Sequence, residues 1–309
     1  MAGRLVLAPT VEQALAADAA VVALESTLIS HGLPRPRNLE VARAAEAAVR
    51  AAGAVPATIA LRDGVIRVGL GDTELAELAA ADGVPKVSRR DLAWALGRQG
   101  WAATTVSATM IGADLAGIRV FATGGIGGVH RGGERTLDVS ADLDELARTP
   151  VLVVCAGPKS ILDVALTLEV LETRGVPVIG FGTDELAGFY TRGSDLPVSL
   201  RVDTAEQAAA LALRHWSLGL ATGLVVAVPL PEDAALPADV ARTAVEEAHH
   251  EAETRGIRGP ATTPFLLTRI AELTDGRSLQ ANAALIEHNA HVAADIAVAM
   301  AGLASPERD

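Results

Sequence analysis

The chain has 309 residues, half of them hydrophobic, and a formal net charge of −12. That length suits one large domain, or two modest ones, with ample chain for a core. The acidic balance excludes non-specific nucleic-acid binding, which rests on phosphate neutralisation by Lys and Arg. A local cluster that holds one small phosphate ester is still compatible with it.

Cys155 is the sole cysteine and lies in the apolar run VLVVCAG. It reads as a small buried hydrophobe, and without a partner it suits a reducing compartment. The first residues carry Glu12 and Asp18 where a signal peptide needs an apolar stretch. The longest uncharged run, near SLGLATGLVVAVPLP, is broken by Gly and Pro, and it falls short of the ~20 residues a membrane helix wants. The expectation is a soluble cytoplasmic protein with no membrane and no nucleic-acid partner.

Taken in chain order, AAVVAL (19–24) reads as a buried strand, and 38–53 as a helix capped by Asn38 and ended by Gly53. Residues 57–70 read as a hairpin, because Asp63-Gly64 separates two β-rich runs. A helix is predicted over 103–117 and strands over 118–125 and 150–157. The latter runs into a helix beginning at Lys159. Further strands are predicted over 176–182 and 223–229, and three helices close the chain near 236–254, 264–274 and 278–302. Strand-then-helix alternation implies an α/β fold, a mostly parallel sheet covered by helices on both faces. No repeat or linker divides it, so 1–309 reads as a single large domain. In such sheets ligands gather at the carboxyl ends of strands. Four segments leave strands with unusual residues: ESTLISHG after 24, GGIGGVHRG after 123, GPKS after 156 and GTDE after 181.

The chain has only two lysines, Lys86 and Lys159, against 24 arginines. Arginine stays protonated and cannot serve as an amine nucleophile, whereas a lysine near positive charge or in an apolar site can attack a carbonyl. At the start of a helix, Lys159 would meet the positive end of the dipole, which favours the neutral amine. Glu25, directly after a buried strand, suits a general acid or base with a raised pKa; an ordinary capping acid is the alternative. His31 is a weaker candidate.

FATGGIGGVHRGGERTLDVSAD (121–142) places four glycines in five positions. Such a loop lets backbone N–H groups reach a phosphate. Thr123 opens it, and His130, Asp138, Ser140 and Asp142 follow. Asp138 and Asp142 suit a hard divalent cation, although Asp142 also suits a cap for the helix after it. Lys86 in PKVSRRDL suits a substrate clamp. Thr105 and its neighbours in ATTVSATM could complete a phosphate site, and Asn282 and Asn289 sit as amides in an apolar closing helix.

These motifs, in this order, resemble the pseudouridine-5'-phosphate glycosidases, or pseudouridylate synthases. The matching segments include ALESTLISHGLPRPRNLEVA, KVSRRDL, ATTVSATM, VFATGGIGGVHRGGERTLDVSADLDELA and CAGPKSILDVALTLEVLETRGVPVIG, and they cover nearly the full chain. The resemblance implies an IndA-like α/β fold, a homotrimer, and one divalent cation per subunit, usually Mn²⁺. It implies a lyase (carbon–oxygen, hydro-lyase class) that reversibly splits pseudouridine 5'-phosphate into uracil and ribose 5-phosphate in nucleotide catabolism. By motif, Lys159 would be the nucleophile at ribose C1' and Glu25 the proton donor. Lys86, Val106, Ser140, Ala141 and Asp142 would bind substrate, and Asp138 the metal. Thr105, Thr123, His130 and Asn282 are further candidates. The rival expectations are another lysine-dependent sugar-phosphate lyase or aldolase, and a non-catalytic nucleotide-binding protein.

Overall fold

The computed structural model describes residues 4–304. The chain opens with β1 (Leu5–Leu7), α1 (Pro9–Ala16), β2 (Val21–Leu24) and, after a π-helical turn at Leu28–Gly32, α2 (Arg37–Ala51). The predicted hairpin forms as β3 (Val55–Arg62) and β4 (Val65–Val68), with Asp63 and Gly64 both at positive φ in its turn. Then come α3 (Asp72–Ala80), β5 (Lys86–Val87), α4 (Leu92–Ala95), β6 (Trp101–Thr104), α5 (Val106–Ala116) and β7 (Val120–Ala122). Two short helices, α6 (Gly133–Thr136) and α7 (Ala141–Leu146), precede β8 (Leu152–Cys155) and α8 (Val164–Thr173). The chain continues through β9 (Val178–Phe181), β10 (Leu200–Val202), α9 (Ala205–Ser217) and β11 (Leu224–Ala227). It closes with α10 (Ala238–Thr254), α11 (Thr262–Leu273) and α12 (Arg277–Ala304).

One 11-stranded sheet runs in the order β1-β4-β3-β2-β7-β8-β11-β9-β10, with β6 branching from β3 and carrying β5. From β3 to β10 that row is parallel. β3 is the pivot: its first half pairs with β2, and its second half pairs antiparallel with β4 and β6.

The central strands are buried on both faces, which is why they read as unbroken apolar runs. Alternate residues feed two cores. Val22, Leu24, Val120, Ala122, Leu152, Val154, Leu224 and Val226 meet apolar residues of α2, α9, α10, α11 and α12. Val21, Ala23, Phe121, Val153, Cys155 and Val225 face the other way, toward α1, α5, α7 and α8. No helix among the described residues is long and apolar enough to cross a membrane.

Four local expectations are corrected. Asn38 does not cap α2; it lies inside the first turn, where its Nδ2 donates to the carbonyls of Ile29 and Ala79. The 103–117 segment is a strand as far as Thr104 before it turns helical, because β6 closes on β3 and β5. The helix after β8 begins at Val164, with the Asp163 carboxylate capping the Leu166 N–H at 2.9 Å. Lys159 therefore stands in a loop, and the helix-dipole argument for it fails. Ser140, not Asp142, caps α7.

Candidate active site

Glu25, the glycine loop and Lys159 leave three adjacent parallel strands, β2, β7 and β8, at their carboxyl ends. The register sets Leu24 beside Ala122 and Ala122 beside Val154. Glu25 and Thr123 are therefore the next pair along, and the Thr123 hydroxyl donates to Glu25 Oε1. The fourth segment, Gly182–Glu185, leaves β9, which β11 separates from β8. It does not line the cavity; Asp184 pairs with Arg201 at the surface instead.

Two backbone hydrogen bonds weld the lysine loop to the glycine loop. Ile126 N–H donates to Gly157 O at 3.2 Å, and Lys159 N–H donates to Ile126 O at 3.1 Å. The glycines are required for close packing. A Cβ on Gly125 would stand 2.6 Å from Phe189 Cε2, and one on Gly127 would stand 2.2 Å from Ser140 Oγ. The amides of Ile126 and Gly127 are spent inside the protein, the latter on Asp142 Oδ2 at 2.9 Å. The expectation of a phosphate nest built from these N–H groups is corrected accordingly; Gly124 and Gly125 still face the cavity.

A cavity of about 610 Å³ opens here, lined by Glu25, Lys86, His130, Asp138, Lys159 and Asn282 among others. A smaller recess of about 140 Å³ holds Ser88, Thr105, Val106, Ser140 and Asp142. Glu25, Lys86, His130 and Lys159 line both. Of the residues singled out from sequence, Ala141 and Asn289 line neither space, the latter donating to the carbonyls of Thr123 and Gly124, and Thr123 stands behind Glu25 without reaching either.

Burial pushes the Glu25 carboxyl above the usual carboxylate range, against the opposing pull of Lys159, the Thr123 hydroxyl and Lys86. Lys86 keeps accessible surface because it stands in the cavity, yet the protein around it disfavours its ammonium. Desolvation and then the charge of Lys159 hold its pKa below the ordinary lysine value, with Glu25 and Asp142 opposing. The Cys155 thiol, fully buried beneath the site, is pushed up to about 12.

The recess lies at the N-terminus of α5, where free N–H groups favour an anion. Ser107 N–H is taken by Asp142 Oδ1 at 3.0 Å and Ala108 N–H by Thr105 Oγ1 at 3.5 Å. Val106 N–H has no protein acceptor among the described residues.

Among the described residues no group of three or more His, Cys, Asp or Glu could hold a metal ion. The two oxygens of Asp142 each accept a backbone N–H, whereas the exposed Asp138 carboxylate has no protein partner among the described residues. One free carboxylate on a cavity fits a hard cation that takes its other oxygens from water and a ligand.

Sequence reasoning gave no role to Phe189, or to Thr263, Pro264 and Leu267 of α11, all of which line the large cavity. Phe189 is 3% exposed, has φ +64° and meets the Tyr190 ring edge-on at 4.8 Å. Aromatics make up only 3% of the chain, so their scarcity was the available signal, as lysine scarcity was for Lys159.

Residues 10–299 match the family model for indigoidine synthase A-like proteins. A pseudouridine-5'-phosphate glycosidase of Jannaschia sp. is 56% identical over 96% of this chain and 98% of its own length.

The chain belongs to the pseudouridine-5'-phosphate glycosidase family.

Another such glycosidase, from Paracoccus denitrificans, is 58% identical over 96% of this chain and 98% of its own. Among solved structures, the prealnumycin C-glycosynthase AlnA in complex with ribulose 5-phosphate superposes with TM-score 0.92. It is 41% identical, covering 98% of this chain and 99% of its own. An indigoidine synthase A-like protein from Thermotoga maritima gives TM-score 0.84 at 37% identity, covering 91% and 93%. The family resemblance and the α/β fold expected from sequence are both borne out.

Proposed function

We propose that this protein reversibly cleaves the C–C glycosidic bond of pseudouridine 5'-phosphate, consuming water and giving uracil and ribose 5-phosphate. The observation that carries the reading is the meeting of Glu25 and Lys159 in one cavity beside an anion-suited recess. The names of the relatives above support the same substrate. The pentose phosphate named with the C-glycosynthase supports a sugar-phosphate ligand.

The 5'-phosphate takes the recess, held by Val106 N–H, the hydroxyls of Ser88, Thr105 and Ser140, and Lys86. Lys159 Nζ attacks C1'. The C1'–O4' pair leaves with O4', which takes its proton from Glu25, the acid whose neutral form burial favours. The nitrogen returns a proton to the Glu25 carboxylate. Glu25 then protonates uracil C5; the C1'–C5 pair stays with uracil, and the nitrogen lone pair closes an imine at C1'. Water hydrolyses the imine, releasing ribose 5-phosphate and the lysine. Carbon is a poor leaving atom, and the covalent lysine splits one hard step into easier ones.

Asp138 is the residue we assign to a divalent cation, Mn²⁺ by family expectation. The cation would add positive charge beside the phosphate sugar. The assembly expected from the family is a homotrimer. A second reading follows from the C-glycosynthase likeness: a pentose 5-phosphate joined through carbon to a partner other than uracil. Incubation with pseudouridine 5'-phosphate, reading free uracil, tests the main reading. Turnover of other C-linked ribosides but not of this one would favour the second.

A further inference from the structure

Glu145 is a fully buried carboxylate that the chemistry above does not use. It sits on α7, one turn from Asp142 and on the same face. Arg89 grips it with both arms, Nε to Oε2 and Nη2 to Oε1, each at 2.6 Å. Thr149 also donates to it, and Ser107 Oγ lies 3.4 Å from Oε2. The Arg89 backbone N–H in turn donates to Ser107 Oγ at 3.3 Å.

Lys86 lies three residues before Arg89, on a strand only two residues long that, among the described residues, pairs with β6 alone. So short an edge strand cannot fix its own side chains. The segment is held by the buried Val87 and by Ser88, whose N–H bonds Asp91 at 3.0 Å and whose hydroxyl bonds Thr105 at 3.2 Å. Further anchors are the β6 pairing, the Arg89 N–H on Ser107 Oγ and the Arg89 fork. Asp142, on the same helix, holds Ser107 and Gly127. The two carboxylates of α7 thus gather the α5 N-terminus, the glycine loop and the Lys86 segment around the recess.

We infer that Glu145, acting through Arg89, is a positioning residue that aims Lys86 at the ligand's anionic group. A planar bidentate fork fixes direction as well as distance, which a lysine at position 89 would not. The inference rests on the proposed function for its substrate, and it makes Glu145 a determinant of substrate affinity from behind the cavity wall.

The test is the double variant Arg89→Met/Glu145→Gln. It removes both charges together, so no buried charge is stranded, and it leaves an amide for Thr149 and Ser107 to meet. Thermal unfolding, KM and kcat on pseudouridine 5'-phosphate are compared with the parent. In parallel, ligand-free protein is acetylated briefly, and the Lys86:Lys159 labelling ratio is read by peptide mass spectrometry. Two lysines in the chain make that ratio clean. The expected result is a folded protein whose KM rises about tenfold while kcat stays within about threefold. The labelling ratio should change about threefold or more, because freeing Lys86 changes its access and its basicity. A folded variant with unchanged KM and unchanged ratio would overturn the inference and leave a plain structural staple. If the parent itself fails to turn over the substrate, the functional reading falls and the labelling ratio still decides the positioning role. If the double variant does not fold, Glu145→Gln alone is read by the same two measures.

Discussion

Thr123 and Glu25 lie 98 residues apart in sequence, yet the threonine hydroxyl donates to the glutamate carboxylate at the ends of neighbouring strands. The bond holds Glu25 in place against a buried site that would rather have it neutral. A carboxyl whose folded pKa lies above its unfolded value contributes full stability below the unfolded pKa and loses it as pH rises through the folded one. Glu25→Gln should therefore gain thermal stability over the parent as pH rises above the usual carboxylate range, with no gain below it. It should lose ~10²–10⁴-fold in kcat, the usual worth of a positioned general acid. Melting temperatures from pH 4 to 9, on the order of one unit apart, with kcat at each, check both. An unchanged kcat would remove Glu25 from the chemistry.

Lys86 shifts the opposite way. Its folded pKa lies below the unfolded value, so its ammonium costs stability below the folded pKa, and the cost fades as pH rises to the unfolded one. Lys86→Met should raise the melting temperature at neutral pH, with the gain shrinking in strong alkali. The same change should raise KM about tenfold or more while kcat moves less. A site kept at a cost in stability is the pattern expected of function.

Gly125→Ala should destabilise by about 1–3 kcal/mol, the usual cost of overpacking. Its new Cβ would stand 2.6 Å from the Phe189 ring and 2.9 Å from Gly157 O. Adding Phe189→Leu should recover part of the loss in a double-mutant cycle, because the two sites share one contact. Chemical denaturation of the four proteins measures it; strict additivity would contradict the contact.

Cys155 should resist alkylation in the native protein at pH 8 and label fully once unfolded. Its thiol is wholly buried and pushed up to about 12, which leaves almost no thiolate. Mass spectrometry after iodoacetamide treatment reads the outcome, and rapid native labelling would contradict this packing.

The parallel sheet was legible because strands buried on both faces leave continuous apolar runs, as in VVAL and VLVVC. The hairpin was legible from Asp63-Gly64. Lys159, Glu25 and Lys86 stood out through residue chemistry and rarity, and the fold brings all three to one cavity. What failed were local boundaries. Asn38 looked like a cap because its type suits one, but tertiary carbonyls claimed its amide. The helix after Lys159 was begun five residues early, because nothing local reveals that Ile126 holds Pro158 and Lys159 extended. The glycine loop suggested phosphate contact, whereas packing demands the glycines, against Ser140 later in the same segment and against Phe189 from distant sequence. Glu145 drew no reading from the sequence, because its partner Arg89 lies 56 residues away.

The most direct test of the central claim uses pure protein with Mn²⁺ and pseudouridine 5'-phosphate, with sodium borohydride added during turnover. Intact and peptide mass spectrometry then locates any reduced adduct, while chromatography follows uracil. The account predicts uracil release and a ribitylated phosphate adduct on the peptide carrying Lys159, both lost in Lys159→Ala. Full uracil release by folded Lys159→Ala would contradict it.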